Sequence, residues 1–155
     1  MAISRYAAAT DAVLAALRAD ATLAAAAVEI IDGPPVQQAY GTTVLYVGWR
    51  GDVDDDTAGD ITQEYHDLGP TATRDEIISI YCTVQSVRGD DDMAAARTSA
   101  VAALGAIETA LRGNVSLGLA NVLRIEVSDS TVRQVRDVEG IGVELGFTIT
   151  VTSLI

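Results

Sequence analysis

The chain has 155 residues, 49% of them hydrophobic, with 22 acidic against 10 basic side chains and a formal net charge of −12. A single domain over 1–155 can bury roughly 70% of the surface that its unfolded chain exposes, so no staple is required, and the lone Cys82 excludes an internal disulfide. A surface of this sign repels phosphate backbones and anionic lipid, and no apolar run is long enough to span a bilayer or reads as a secretory signal; neither sequence-specific nucleic-acid binding nor a membrane partner is expected, and a reducing, intracellular setting fits.

Ser4 is placed to cap a first helix whose apolar stripe is Tyr6, Val13, Leu14 and Leu17, ending near Ala19. Asp20-Ala21-Thr22 permits another short helical turn. Residues 28–31 then read as a strand stopped by Asp32-Gly33-Pro34-Pro35, because two prolines cannot donate to a ladder. Residues 43–50 alternate as a second strand, with Leu45, Val47 and Trp49 on one face and Val44 and Tyr46 on the other; the aspartate-rich 51–60 is a loop.

Residues 61–68 and 74–87 read as a hairpin across 69–73, with Ile78, Ile80, Cys82 and Val84 sharing one face. Asp90, Asp91 and Asp92 open a long helix, where carboxylates accept from free backbone N–H groups and meet the positive end of the dipole. Its stripe is Met93, Ala96, Ala100, Leu104, Ile107 and Leu111; its alanines and Gly105 permit close approach to a sheet, and Gly113 is a natural left-handed terminator. Residues 121–135 and 140–153 form the closing strands, and a slip of phase predicts a bulge around Ser128-Asp129-Ser130.

The last strand carries the cleanest pattern in the chain. Ile141, Val143, Leu145, Phe147, Ile149 and Val151 face a core, while Gly142, Glu144, Gly146, Thr148, Thr150 and Thr152 give the other side a smooth, weakly solvated surface. The strand runs almost to Ile155, which implies that this end is held in the structure. The order of elements predicts an α+β fold, a largely antiparallel sheet with two main helices packed on one face.

Catalytic chemistry has little to work with. His66, the sole histidine, lies in a polar segment and reads as a solvated side chain; Cys82 lies in an apolar row and reads as a buried small hydrophobe. The run from Gly140 to Gly146 has the wrong spacing for a dinucleotide fingerprint, and Ser116 is one residue too far from Gly113 for a nucleophile elbow. Asp52, Asp54, Asp55 and Asp56 begin like a calcium loop, but Thr57 and Gln63 stand where that loop needs its glycine and its bidentate glutamate. No catalytic residue, cofactor or metal is expected, and the four aspartates read as a solvated acidic loop.

Several segments together resemble the tail terminator (tail-completion) proteins of long-tailed bacteriophages. These are Leu14-Ala15-Ala16-Leu17-Arg18, the strand and turn from Val28 to Pro35, Leu45-Tyr46-Val47-Gly48-Trp49, the strand from Glu76 to Val84, the helix through Ala103-Leu104-Gly105-Ala106-Ile107-Glu108, and the terminal strand. The resemblance implies a non-enzymatic virion subunit, assembled in the host cytoplasm, that forms a homo-oligomeric ring, usually a hexamer, on the head-proximal end of the tail tube. Such a ring has the tail tube protein on one side and the head–tail connector on the other. Another neck or tube subunit is the nearest alternative, and a small ligand- or metal-binding domain is the alternative from a different class. On the ring reading, Gly142, Gly146, Thr148, Thr150 and Thr152 are candidate subunit or tube contacts, together with Trp49 and Arg50 at a strand end. For Trp49, core packing is the first reading by its chemistry, and a contact role the second. Asp52, Asp54, Asp55 and Asp56 are the candidate lumen-facing loop.

Overall fold

The computed structural model describes residues 3–35, 42–66, 69, 72–138 and 140–155. Its elements are α1 (Tyr6–Arg18), α2 (Ala21–Ala25), β1 (Glu29–Asp32), β2 (Thr43–Val47), β3 (Gly59–Tyr65), β4 (Arg74–Arg88), α3 (Met93–Arg112), β5 (Val122–Asp137) and β6 (Gly140–Leu154). The strands form one six-stranded sheet in the order β1-β2-β4-β6-β5, with β3 also paired to β4. β2 covers the C-terminal half of β4 and β3 its N-terminal half, so β4 is flanked end to end. All pairings are antiparallel except β1 with β2. The fold is α+β, as the order of elements predicts.

The helices pack on one face of this sheet. Val13, Leu14 and Leu17 of α1, Leu23 of α2 and Ala96, Ala100, Ala103, Ile107 and Leu111 of α3 join the inward residues of β2, β4 and β6 in one buried cluster. Alanines at three of these α3 positions bring the helix backbone close to the sheet. Gly105 has no part in this: it is exposed, with nothing within 4 Å of where a Cβ would stand. All six apolar residues from Ile141 to Val151 are buried, in step with the alternation. At the far end, Ile155 and Arg74 exchange backbone hydrogen bonds of 2.8 and 2.9 Å, which holds the end of the strand.

The caps follow side-chain chemistry with two departures. Asp20 and Asp92 each accept a backbone N–H three residues on, at 2.9 Å. The cap position of α1 is Arg5, whereas Ser4 stands one residue earlier and accepts from the Tyr6 N–H at 3.0 Å. Gly113 ends α3 in a right-handed conformation, φ −72°, so the chain turns later, through left-handed Leu117 and Gly118.

A buried charge ties the N-terminal segment to the sheet. Glu76 of β4 is fully buried between Gln63 of β3 and Ser153 of β6; its Oε1 accepts from the Arg5 N–H at 2.8 Å and its Oε2 from Gln63 Nε2 at 2.7 Å. A carboxylate at the start of α1 also meets the positive end of that helix. The two hydrogen bonds replace the water that burial removes.

Candidate functional site

Among the described residues, no helix covers the opposite face of the sheet. Along β6 it presents Gly142, Glu144, Gly146, Thr148, Thr150 and Thr152, each half-buried by its neighbours on β4 and β5. Thr148 lies between Tyr81 and Ser128, Thr150 between Ser79 and Glu126, and Thr152 between Ile77 and Arg124. The surface is therefore a band of small hydroxyls bordered by charged residues of β5.

Glycine at 146 opens a hollow in this band. The concavity holds about 450 Å³, with Gly146 in its floor and Arg50, Tyr81, Thr83, Arg133 and Glu144 among its walls. The Arg50 guanidinium lies over the Tyr81 ring, 3.6 Å from its centroid, a cation–π contact, and is 3.9 Å from Asp55. The Tyr81 hydroxyl donates to Asp60, and that bond to a carboxylate is the chief reason why its pKa is raised. Across the hollow, Glu144 accepts from Gln85 at 3.2 Å and stands 3.7 Å from Arg133.

Arg50, Gly146 and Thr148 thus meet at one place, while Gly142, Thr150 and Thr152 extend the same face. Trp49 does not share the face expected of it. Gly48, at φ +88°, breaks the alternation, and the indole turns to pack with Val44 and Tyr46, 7% exposed and edge-on to the Tyr46 ring at 5.0 Å. Trp49 Nε1 donates to the Asp52 carbonyl at 3.3 Å, and its own carbonyl accepts from Thr83. The indole thereby fixes the start of the acidic loop that carries Asp52, Asp54, Asp55 and Asp56.

That loop is held by its own carboxylates. Asp52 accepts from the Asp54 N–H and Asp55 from the Thr57 N–H, both at 2.9 Å; hydrogen bonding from Thr57 is the main cause of a lowered Asp55 pKa. Among the described residues, no three Asp, Glu, His or Cys side chains gather to hold a metal ion. His66 is exposed and 3.2 Å from Asp75, and Cys82 lies under the helix-covered face, where burial pushes its thiol up to about 12. Neither reaches the hollow with a partner for nucleophilic chemistry.

Tyr81, Thr83 and Arg133 are members of this surface that sequence reasoning missed; Glu144 stands on it by the alternation of β6. The alternation about Cys82 already places Tyr81 and Thr83 on its opposite side, and the bulge in β5 sets which face Arg133 takes.

A chain from the virion of a native gene transfer agent particle matches this one with a TM-score of 0.57, over 98% of this chain and 100% of that chain. The two share a fold. Their sequences are 22% identical, so the likeness is one of architecture. No protein-family model and no curated protein matches the chain. No described helix is long and apolar enough to cross a membrane.

Proposed function

We propose that this protein is a non-enzymatic structural subunit of a phage-like virion, and within that class a tail terminator. It forms a ring on the head-proximal end of the tail tube, ends tube polymerisation and presents its other side to the head–tail connector. The observation that carries this reading is the end-to-end match to a gene transfer agent virion chain, whole chain against whole chain. The sequence resemblance supplies the terminator role and the six-fold stoichiometry.

Three features support it. One face of the sheet is open and bears hydroxyls and glycine in place of a reactive set. Arg50, Gly142, Gly146, Thr148, Thr150 and Thr152 make that face a subunit or tube contact, with Trp49 as the buried anchor beneath it. The charge of −12, multiplied around a ring, keeps passing DNA from sticking, and Asp52, Asp54, Asp55 and Asp56 turn toward the lumen in this reading. Growth stops because one side of the ring repeats the contacts of the tube subunit and the other does not.

Native mass spectrometry with negative-stain imaging tests the assembly, with the protein alone and beside its tube protein. A closed ring of fixed copy number is expected. Long polymers of this chain alone would point to a tube subunit, and a monomer under both conditions would contradict the proposal.

A further inference from the structure

β5 is the outer strand on one side of the sheet, and among the described residues no strand pairs with its far edge. Residues 129–137 are exposed without a break, although they are paired to a β6 that is buried along its inward face. Val132 in this stretch is 57% exposed. On the other side of the sheet, β3 is likewise paired on one edge alone, with Ile61 and Tyr65 47% and 53% exposed. Each of these edges leaves a row of backbone donors and acceptors facing away from the sheet.

Their direction, faces and charges agree. β3 with β4, β4 with β6 and β6 with β5 are all antiparallel, so β3 runs opposite to β5. A rotation about an axis along the strands would therefore bring β3 of the next copy beside β5 in antiparallel sense. Register places Val132 on the helix-covered face beside Leu145, and Arg133 on the open face beside Glu144. On β3, Ile61 takes the helix-covered face beside Ile78, while Asp60 and Glu64 take the open face beside Ser79 and Asp75. Within 129–137 the charged residues are Asp129, Arg133, Arg136 and Asp137, with Arg133 3.7 Å from Glu144 and Arg136 2.7 Å from Asp91; within β3 they are Asp60 and Glu64, and Arg133 is the cation that shares their open face. In a chain of net charge −12, copies can lie side by side most easily where opposite signs meet.

We infer that the sheet continues from copy to copy, β5 of one subunit adding to β3 of the next copy of this chain, with Arg133 against the Asp60 and Glu64 carboxylates and Val132 against Ile61 and Tyr65. This rests on the ring reading above and names the contact that closes the ring.

Charge exchange tests it. Wild type, Arg133→Glu, Glu64→Arg and the double variant are titrated by native mass spectrometry in the same medium, alone and with tube protein, with thermal unfolding as the check on folding. Each single reversal is expected to raise the concentration for half-assembly about tenfold or more, and the double exchange to recover most of that loss. Single variants that assemble like wild type, or a double variant no better than the singles, would overturn the edge contact while the ring reading stands. A wild type that stays monomeric beside tubes would overturn both.

Discussion

The two strands of the closing hairpin are nearly equal in length, 16 residues in β5 and 15 in β6, yet they differ in burial. β6 alternates buried and half-buried from end to end, whereas β5 is exposed from Asp129 onward. Both composition and position separate them. On the helix-covered face Val132 of β5 lies beside Leu145, but Gln134 and Arg136 lie beside Val143 and Ile141. β6 also lies between two strands and beneath α3, whereas β5 lies at the edge with its distal half exposed. An alternating pattern fixes which residues share a face, and neighbouring elements decide whether that face is dry.

The comparison can be broken most forcefully in the core. Ile149→Ala removes a fully buried side chain and is expected to cost about 2–5 kcal/mol in urea unfolding. Val132→Ala on β5 should move the isolated subunit by less than about 0.5 kcal/mol. Equal losses at the two sites would mean that β5 is covered within the monomer. Glycines sharpen the contrast next. A Cβ at Gly140, where φ is +146°, would stand 2.2 Å from the Arg88 carbonyl oxygen, so Gly140→Ala should cost about 1–3 kcal/mol. At Gly146 a Cβ meets nothing within 4 Å, so Gly146→Ala should leave unfolding within about 0.5 kcal/mol of wild type while narrowing the hollow.

Smaller effects lie at the bulge and at the start of α3. Asp129 holds φ +56°, so Asp129→Gly should stabilise by roughly 0.5–1 kcal/mol in the same unfolding measurement. Asp90, on the surface, is held down to about 2 by its hydrogen bonds from Arg88 and then from the Asp92 N–H. A carboxyl lowered on folding contributes stability above its unfolded value, about 3.9, and loses it as pH falls toward 2. Asp90→Asn should flatten the stability profile slightly in that window alone, read by thermal unfolding from pH 2 to 5.

Much of this architecture could be read from periodicity. The six inward residues of β6, the face of Ile78, Ile80, Cys82 and Val84, Ala96, Ala100, Ile107 and Leu111 of α3 and the bulge after Ser128 all stand where apolar phase places them, while on α3 Ala103 is buried and Leu104 only half-buried. Phase failed where one backbone angle resets it: Gly48 turned Trp49 to the other side, which alternation alone cannot foresee. Gly113 stayed right-handed because glycine permits a left-handed turn without requiring one. Pairing partners were invisible too. Nothing in four residues of β1 says that they lie parallel to β2, and the meeting of Arg50, Tyr81 and Arg133 over Gly146 depends on strands far apart in sequence.

The central claim is that this subunit ends tube growth, and tube length reads it directly. Electron microscopy of tube protein polymerised with increasing amounts of this protein should show progressively shorter tubes, each with a ring at one end. Tubes of unchanged length distribution and bare ends, at every ratio, would contradict the account.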